Sequence, residues 1–462
     1  MKVRCDILEH YLITGTLIFS FFYFVIRFLL IDNFIWIILF PLLCFSYILL
    51  YSERFTFKGF NSLDKVVYIY LLFGFLMTIL GLFISKYKLI TLEVFAHYYL
   101  PAVIYFISRK YTSYSAFNFV RVIRIIWILA ILLIIDMFIE SIFYRYNLSS
   151  TFVPWAYMGE ENYIKYSISW FGQGYDKIGS ILTSSKTTEM VFASLFCFIY
   201  PFTMNYKIFK QYYLKKLFAT WQVNILFNIT TLFFILICII GISELTNKTA
   251  FVSLLLVLIF FSVNKFSLKR VIFLLLGLVL IVIIFQDFLF MIYIDNFVKA
   301  AYKVSWDNVY ESSTVFQAIF NWPRLILHYQ GISFYDLIFG KYLITGINSS
   351  QPFTNLAIGT ELRLFTSPVY FGLIWTSIVI TMGFLIIKYC FRLINKRKRN
   401  FLSYLGLSFL GFYLIYFLDF HYPVFIRHGP IELFFVLTGA LSSFNSCYMG
   451  KEIQSNMYIN RK

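Results

Sequence analysis

The stretch VVYIYLLFGFLMTILGLFIS at positions 66–85 decides the fold class of this sequence. It runs for 20 residues without one charged side chain. A helix needs about 20 predominantly apolar residues to cross the hydrocarbon core of a bilayer. The stretch therefore predicts a transmembrane helix.

Eleven further apolar stretches qualify as spans, some of them short, and they lie near 11–31, 35–51, 89–107, 125–143, 188–205, 222–243, 249–264, 271–293, 367–389, 401–420 and 431–448. Of the 462 residues, 60% are hydrophobic and only 13% are charged, a balance far from that of soluble domains. We predict an all-α, polytopic integral membrane helix bundle with about 12 transmembrane helices, forming one membrane domain over 1–462.

Positive charge is concentrated in alternate short loops, which accounts for most of the net charge of +17. By the positive-inside rule these loops and both termini are cytoplasmic, and no nucleic-acid partner is needed to explain the charge. Lys2 and Arg4 precede the first apolar run and no small-residue cleavage site follows it, so we expect a retained first span. The opposite side receives two long loops, 144–187 and 294–366.

Nine ionisable residues fall in the outer parts of their predicted spans, namely Arg27, Glu93, His97, Asp136, Glu140, Glu189, Asp287, Asp419 and Glu432. Ionisable groups in spans are costly and are usually functional or paired. They predict a polar, water-accessible cavity in the outer half of the bundle. The alternative is that each side chain reaches singly to the outer interface.

No motif of a soluble enzyme is present: the sequence lacks a Walker loop, a Rossmann glycine fingerprint, a His-x-x-x-His pair and a Gly-x-Ser-x-Gly elbow. ATP-driven and metal-dependent chemistry are therefore not supported, and we predict neither a cofactor nor a metal. An enzyme of this kind would act on an already activated substrate. The aromatic, polar first long loop suits sugar rings, although interfacial helices have similar composition.

Two segments at the end of the second long loop carry a family resemblance: NWPRLILHYQGISFYDLIFGKYLITG (321–346) and GTELRLFTSPVYFGLIW (359–375). Arg324 and Gly340 are separated by 15 residues, Phe339-Gly340-Lys341 resembles a Phe-Gly-Lys-Gly turn, and Gly372 lies in the returning span. In these features, and in its spans and long external loops, the chain resembles the Wzy-type O-antigen and capsule polysaccharide polymerases of the O-antigen ligase/polymerase superfamily. Arg145, in the first long loop, has no glycine at the matching spacing.

The resemblance implies a membrane glycosyltransferase at the outer face of the bacterial cytoplasmic membrane. Such a polymerase moves a glycan from undecaprenyl pyrophosphate to a sugar hydroxyl of another lipid-linked repeat unit. The implied partners are the undecaprenyl-pyrophosphate-linked oligosaccharide, membrane lipid, a chain-length regulator and a flippase.

A pyrophosphate leaving group gains negative charge in the transition state, and fixed cations stabilise it. On the resemblance, Arg324 is the first choice for this catalytic role. Candidate bases for the attacking hydroxyl are Glu361 and His328, one helical turn beyond Arg324. The expected substrate-binding residues are Lys248, Lys341, Arg363 and Gly340, and further candidates around the last external loop are Asp419, His421 and His428.

Three other functions remain open from the residues. An O-antigen ligase would use a histidine of the second long loop, and His328 is the only one there. A repeat-unit flippase or another secondary carrier would have short loops and pseudo-symmetric halves. A non-catalytic scaffold would tolerate replacement of Arg324, Lys248 or Glu361 without a change in glycan chain length.

Overall fold

The computed structural model describes residues 5–22, 35–55, 59–84, 88–115, parts of 118–132 and 191–198, and residues 334–340, 363–394, 401–418 and 430–448. These residues are almost entirely helical, and they contain no β-strand. The helices are α1 (Cys5–Phe21), α2 (Ile35–Leu50), α3 (Ser62–Ile84), α4 (Lys88–Val94), α5 (Val103–Tyr114), α6 (Phe334–Phe339), α7 (Arg363–Ile394), α8 (Phe401–Leu418) and α9 (Pro430–Tyr448).

Two helices are long and apolar enough to cross a membrane, by length and composition. They are the 23-residue α3 and the 24-residue part of α7 from Phe371 to Ile394. Shorter apolar segments occur in α2, α8 and α9. The predicted spans near 222–243, 249–264 and 271–293 lie outside the described residues, as does the loop 144–187.

The α3 helix begins at Ser62, four residues before the apolar stretch that predicted it. The reason is a capping box: the Asn61 Oδ1 atom accepts a hydrogen bond from the Asp64 amide (3.0 Å), and the Asn61 amide donates to Asp64 Oδ2 (2.7 Å). These reciprocal bonds satisfy amide groups that a helix start otherwise leaves unpaired. The polar first turn is therefore part of the helix.

The α1 helix also starts before its predicted span, at Cys5, because its early polar residues face the bundle. Glu9 is buried, and Tyr47 of α2 donates a hydrogen bond to its Oε1 atom (2.8 Å). Hydropathy counts Glu9 and His10 as polar, so the predicted apolar run begins only after them. Because Tyr47 pairs with the Glu9 carboxylate, the helix can include this buried residue and begin at Cys5.

The segment predicted as one span at 89–107 changes its helix type in the structure. After α4 the chain forms a π-helical turn, Phe95–Tyr99, and a 3-10 turn, Leu100–Ala102, before α5 begins. Pro101 has no amide hydrogen and its ring disfavours continuation of the preceding α-helix. The segment predicted as one span is therefore helical from Lys88 to Tyr114, with a change in hydrogen-bond spacing before and across Pro101.

Close packing joins α5, α8 and α9 through small and hydroxyl side chains. The Ser108 hydroxyl of α5 donates to the Val436 carbonyl of α9 (2.6 Å), and Tyr413 of α8 bonds Thr438 of α9 (2.8 Å). Gly439 of α9 lies against the backbone of α5 near Arg109. Small residues permit such close helix approach, as in membrane bundles.

Candidate functional site

The structure describes one of the predicted site residues in full, Gly340, and the backbone of another, Arg363, which is the first residue of α7. The other predicted residues lie outside the described part of the chain: Arg324, His328, Glu361, Lys248 and Lys341, and the further candidates Asp419, His421 and His428. The site is therefore built outward from Gly340.

Gly340 follows α6 and lies directly against Gly372, the residue at which α7 breaks. A Cβ atom added to Gly340 would come within 2.6 Å of the Gly372 nitrogen, and one added to Gly372 would come within 2.7 Å of the Gly340 nitrogen. Real Cβ atoms do not approach that closely. The two glycines named by the sequence resemblance are thus in mutual backbone contact, 32 positions apart in the chain.

Both glycines also adopt backbone angles that other residues avoid. Gly340 has φ +85°, and Gly372 has φ 87° and ψ 158°. The Gly372 conformation lies in a region that is essentially restricted to glycine. Close contact and conformation therefore both require glycine at this junction, which holds Gly340 of the second long loop against α7.

Aromatic side chains fill the space beside the junction. Phe371 stacks on Trp375 with ring centroids 4.4 Å apart, and Tyr98 packs on Phe371 at 5.6 Å. Tyr98 belongs to the π-helical turn, and Tyr70 of α3 donates a hydrogen bond to its carbonyl (2.6 Å). The junction is thereby supported by rings from α3, the π-helical turn and α7.

The π-helical turn itself is held by close contact with α3. Gly74 of α3 faces the Tyr99 ring so closely that a Cβ atom at Gly74 would overlap it. Tyr70 also contacts the Tyr99 ring, with centroids 5.0 Å apart. Single π-helical turns within α-helices are frequent at functional sites. His97 lies within this turn in the sequence.

A cluster of polar side chains surrounds Asp64. It lies at the end of the bundle that carries Lys65, Arg109, Lys110 and Arg121, which we call the basic end. Asp64 is fully buried, and its Oδ1 atom accepts hydrogen bonds from the Tyr105 hydroxyl (2.5 Å) and the Ser442 hydroxyl (2.7 Å). The Arg109 Nε atom lies 2.7 Å from the same oxygen. One carboxylate thus joins α3, α5 and α9.

Arg109 in turn ties the loop before α3 to α5. Its guanidinium donates to the Gly59 carbonyl (2.9 Å) and lies over the Phe60 ring, 5.4 Å from the centroid. The Asp64 carboxylate is thus already paired with donors from α5 and α9. We assign Asp64 and Arg109 a structural role, because both groups are used within the bundle.

His10 and Tyr111 meet at the same basic end, before and beyond the predicted spans of their helices. Their rings stack, and the Tyr111 hydroxyl lies 3.2 Å from His10 Nδ1. Burial, with Arg121 nearby, lowers the pKa of His10 below its ordinary value, so the neutral imidazole is favoured. Burial likewise raises the pKa of Tyr111.

Sequence reasoning missed Glu9 and Asp64 because both precede the apolar windows that defined the spans. Their partners, Tyr47 and Arg109, lie far away in the chain. Of the nine ionisable residues predicted at outer span ends, Glu432 has a described side chain, and it is buried in the first turn of α9. A carboxylate there complements the positive end of the helix dipole.

Within the described residues, no three His, Cys, Asp or Glu side chains are grouped to hold a metal ion. No protein-family model matches this sequence, and neither a curated protein nor a solved structure is significantly similar to it.

Proposed function

We propose that this chain is a multi-pass protein of the bacterial cytoplasmic membrane that polymerises polysaccharide repeat units at the outer face. The observation that supports the proposal most is the backbone contact between Gly340 and Gly372. The family resemblance includes Gly340 because of its spacing from Arg324, and it includes Gly372 because it lies in the returning span. Their contact gives both of them a single geometric role, which is to close the second long loop onto α7.

Two apolar helices of span length agree with a membrane location. In the proposed reaction the hydroxyl oxygen of the acceptor sugar forms a bond to the anomeric carbon of the donor glycan. The bond from that carbon to the undecaprenyl pyrophosphate oxygen breaks, and the pyrophosphate leaves with the electron pair. The hydroxyl proton passes to a base, so no nucleotide or oxidant enters the balance.

We propose Arg324 as the cation that stabilises the leaving pyrophosphate, assisted by Lys248, Lys341 and Arg363. Glu361 or His328 would accept the hydroxyl proton. Lys341 follows Gly340 directly in sequence, and Arg363 begins α7 nine residues before Gly372; this nearness along the chain to the two contacting glycines supports the choice of these cations. Cations held in place act on charge that develops only as the glycosidic bond breaks.

Gene deletion followed by gel analysis of the surface glycan distinguishes the candidate functions. Loss of a polymerase leaves acceptors capped with single repeat units, because flipping and ligation continue. Complete loss of surface repeat units would instead assign the chain to the ligase or flippase class. A glycan of unchanged length would support a scaffold.

Complementation with Arg324→Ala tests the proposed cation. We expect single repeat units, as in the deletion, at a wild-type level of membrane-inserted protein. Arg145→Ala is the matched control, since it removes an arginine from the other long loop, and full-length chains are expected. If Arg324→Ala restored full-length chains, Arg324 would have no part in the mechanism.

A further inference from the structure

A stripe of exposed side chains runs along the apolar part of α7 and ends in two cations. Residues four apart are neighbours on a helix surface. The stripe consists of Ile380, Phe384, Lys388 and Arg392. Ile380 is 58% exposed and Phe384 is 67% exposed, and both cations are exposed as well. The surface therefore changes from apolar to positively charged within one helical turn.

Contacts of α8 place this end of α7 at the basic end of the bundle. A Cβ atom added to Gly406 of α8 would lie 2.9 Å from the Cys390 carbonyl oxygen of α7, so the two backbones are in close contact. The next turn of α8 and Phe444 of α9 both pack on Phe119, with ring centroids 5.9 Å and 4.8 Å away. Phe444 lies within one turn of the α9 hydroxyl that bonds Asp64.

The distance along α7 places the two cations at the lipid headgroups. Lys388 follows Phe371, the first residue of the apolar part, by 17 positions, which is about 26 Å of helix. The hydrocarbon core of a bilayer is about 30 Å thick. A lysine near its edge keeps its apolar stem in the lipid and extends its ammonium group into the headgroup layer. Arg392, one turn further along, lies at the same layer.

The positive charge at this site is not neutralised by a described acidic side chain. Neither Lys388 nor Arg392 forms a salt bridge with another described residue. The Arg392 guanidinium lies over the Tyr389 ring, 5.4 Å from the centroid. The run Lys396–Arg399 adds four more cations in the sequence directly beyond α7. Basic clusters of this size at the cytoplasmic end of a transmembrane helix attract anionic lipids.

An anionic phospholipid matches the order of groups along the stripe. Its phosphate is joined to acyl chains, just as the two cations adjoin Phe384 and Ile380. An acidic protein or a nucleic acid would meet the cations but would leave the apolar part of the stripe uncovered. A zwitterionic phospholipid carries a positive group beside its phosphate, so it gains less from a pair of cations.

We propose that the end of α7 binds an anionic phospholipid of the leaflet at the basic end, with the phosphate on Lys388 and Arg392 and an acyl chain along Phe384 and Ile380. The bound lipid covers the exposed stripe and offsets the positive charge. This inference rests on the membrane location within the proposed function, and it is independent of the polymerase chemistry.

Native mass spectrometry of the detergent-solubilised full chain tests the site, because it counts bound lipids directly. Dioleoyl phosphatidylglycerol is the anionic probe, and dioleoyl phosphatidylethanolamine, with the same acyl chains, is the zwitterionic one. The variants are Lys388→Gln, Arg392→Gln and their combination. Lys110→Gln is the matched control, because it removes a cation from the same end that lies over the Tyr114 ring of α5.

We expect the wild type to bind phosphatidylglycerol more tightly than phosphatidylethanolamine. Each single variant should bind the first phosphatidylglycerol about fivefold more weakly and the double variant about 30-fold more weakly, whereas Lys110→Gln should match the wild type. Equal affinity of the wild type for the two lipids would overturn the site. An equal loss in Lys110→Gln would replace it by diffuse attraction to the whole basic end.

Soluble glycerol phosphate, which carries the headgroup charge without acyl chains, tests the apolar part of the stripe. At the same concentration as the lipid it should displace no phosphatidylglycerol, and Phe384→Ala should weaken the binding of both lipids. Displacement by glycerol phosphate would overturn the role of the stripe. Glycan chain length does not enter these measurements, so a failure of the lipid site leaves the polymerase proposal intact.

Discussion

Gly340 and Gly372 form the contact between the second long loop and α7. Glycine is required at both positions by close backbone contact and by a positive φ, and substitutions can separate these two requirements. Gly59 has φ 89°, close to the values at Gly340 and Gly372, but open space surrounds its missing Cβ atom. Gly59→Ala therefore isolates the conformational part. The left-handed backbone costs an alanine about 1–2 kcal/mol.

We expect Gly340→Ala and Gly372→Ala to lower the thermal stability of the detergent-solubilised protein more than Gly59→Ala does. Overlap with the facing backbone adds about 1–3 kcal/mol to the conformational cost. Gly372→Ala should be the most severe, because its ψ of 158° combines with a positive φ. Equal losses of stability in all three variants would show that the close contact is absent.

Asp64 is the residue on which the basic end depends. Asp64→Asn removes the negative charge and leaves Arg109, which is mostly buried, beside a neutral amide. Loss of one partner of a buried pair costs about 3–5 kcal/mol. We expect a correspondingly large fall in the unfolding temperature.

The exposed carboxylate of Glu53 provides the control, and Glu53→Gln should change the stability by about 0.5 kcal/mol or less. Adding Arg109→Gln to Asp64→Asn should recover part of the loss, because no unpaired charge then remains. A double variant with the full sum of the two single losses would exclude a direct interaction.

At the scale of an element, the change in helix spacing between α4 and α5 is supported by a hydrogen bond from another helix. Tyr70 donates to the Tyr98 carbonyl where the spacing of the helix changes. Tyr70→Phe leaves that carbonyl without this donor at a buried position, which costs about 1–3 kcal/mol. We expect a lower unfolding temperature with the fold retained.

Tyr11→Phe is the matched control for this substitution, since Tyr11 is exposed on α1. Removal of its hydroxyl should have almost no effect. A Tyr70→Phe protein as stable as the wild type would mean that the π-helical turn satisfies its carbonyls without α3.

Long apolar elements could be predicted from the sequence, and their interruptions only in part. The α3 helix could be predicted because a run of 20 uncharged, mostly apolar residues has the length of a transmembrane helix. Pro101 marks a break in any helix, but the π-helical turn before it depends on Gly74 and Tyr70 of another helix. Polar first turns were missed because hydropathy ignores the partners that Glu9 and Asp64 find across the bundle.

At the scale of the whole molecule, the candidate site was predictable as a set of residue types and not as an arrangement. Gly340 and Gly372 were both named from their motifs, but nothing in their spacing shows that their backbones touch. Such a contact depends on how a loop returns to its span, which local sequence does not encode. The contacts at the basic end likewise join residues 9 with 47 and 64 with 442.

The basic end of the bundle makes the orientation of the chain testable. Glu9 and Asp64 lie near the starts of α1 and α3. They contact Tyr47 near the end of α2, Tyr105 and Arg109 of α5, and Ser442 of α9, so these parts of the helices lie together. Loops that follow basic helix ends are retained in the cytoplasm, whereas the two long loops are predicted to be exported. Alkaline phosphatase reports the difference, because it needs the disulfides that form outside the cytoplasm.

We expect high phosphatase activity when the enzyme is fused after Trp170 or Gln330, one in each long loop, and background activity when it is fused after Lys398. Lys398 lies within the basic run beyond α7, so it should stay inside. Immunoblots normalise each activity to the amount of fusion protein. The reverse pattern would place the Gly340 junction in the cytoplasm, where a lipid-linked glycan donor of the outer leaflet could not reach it, and the polymerase proposal would fail with the topology.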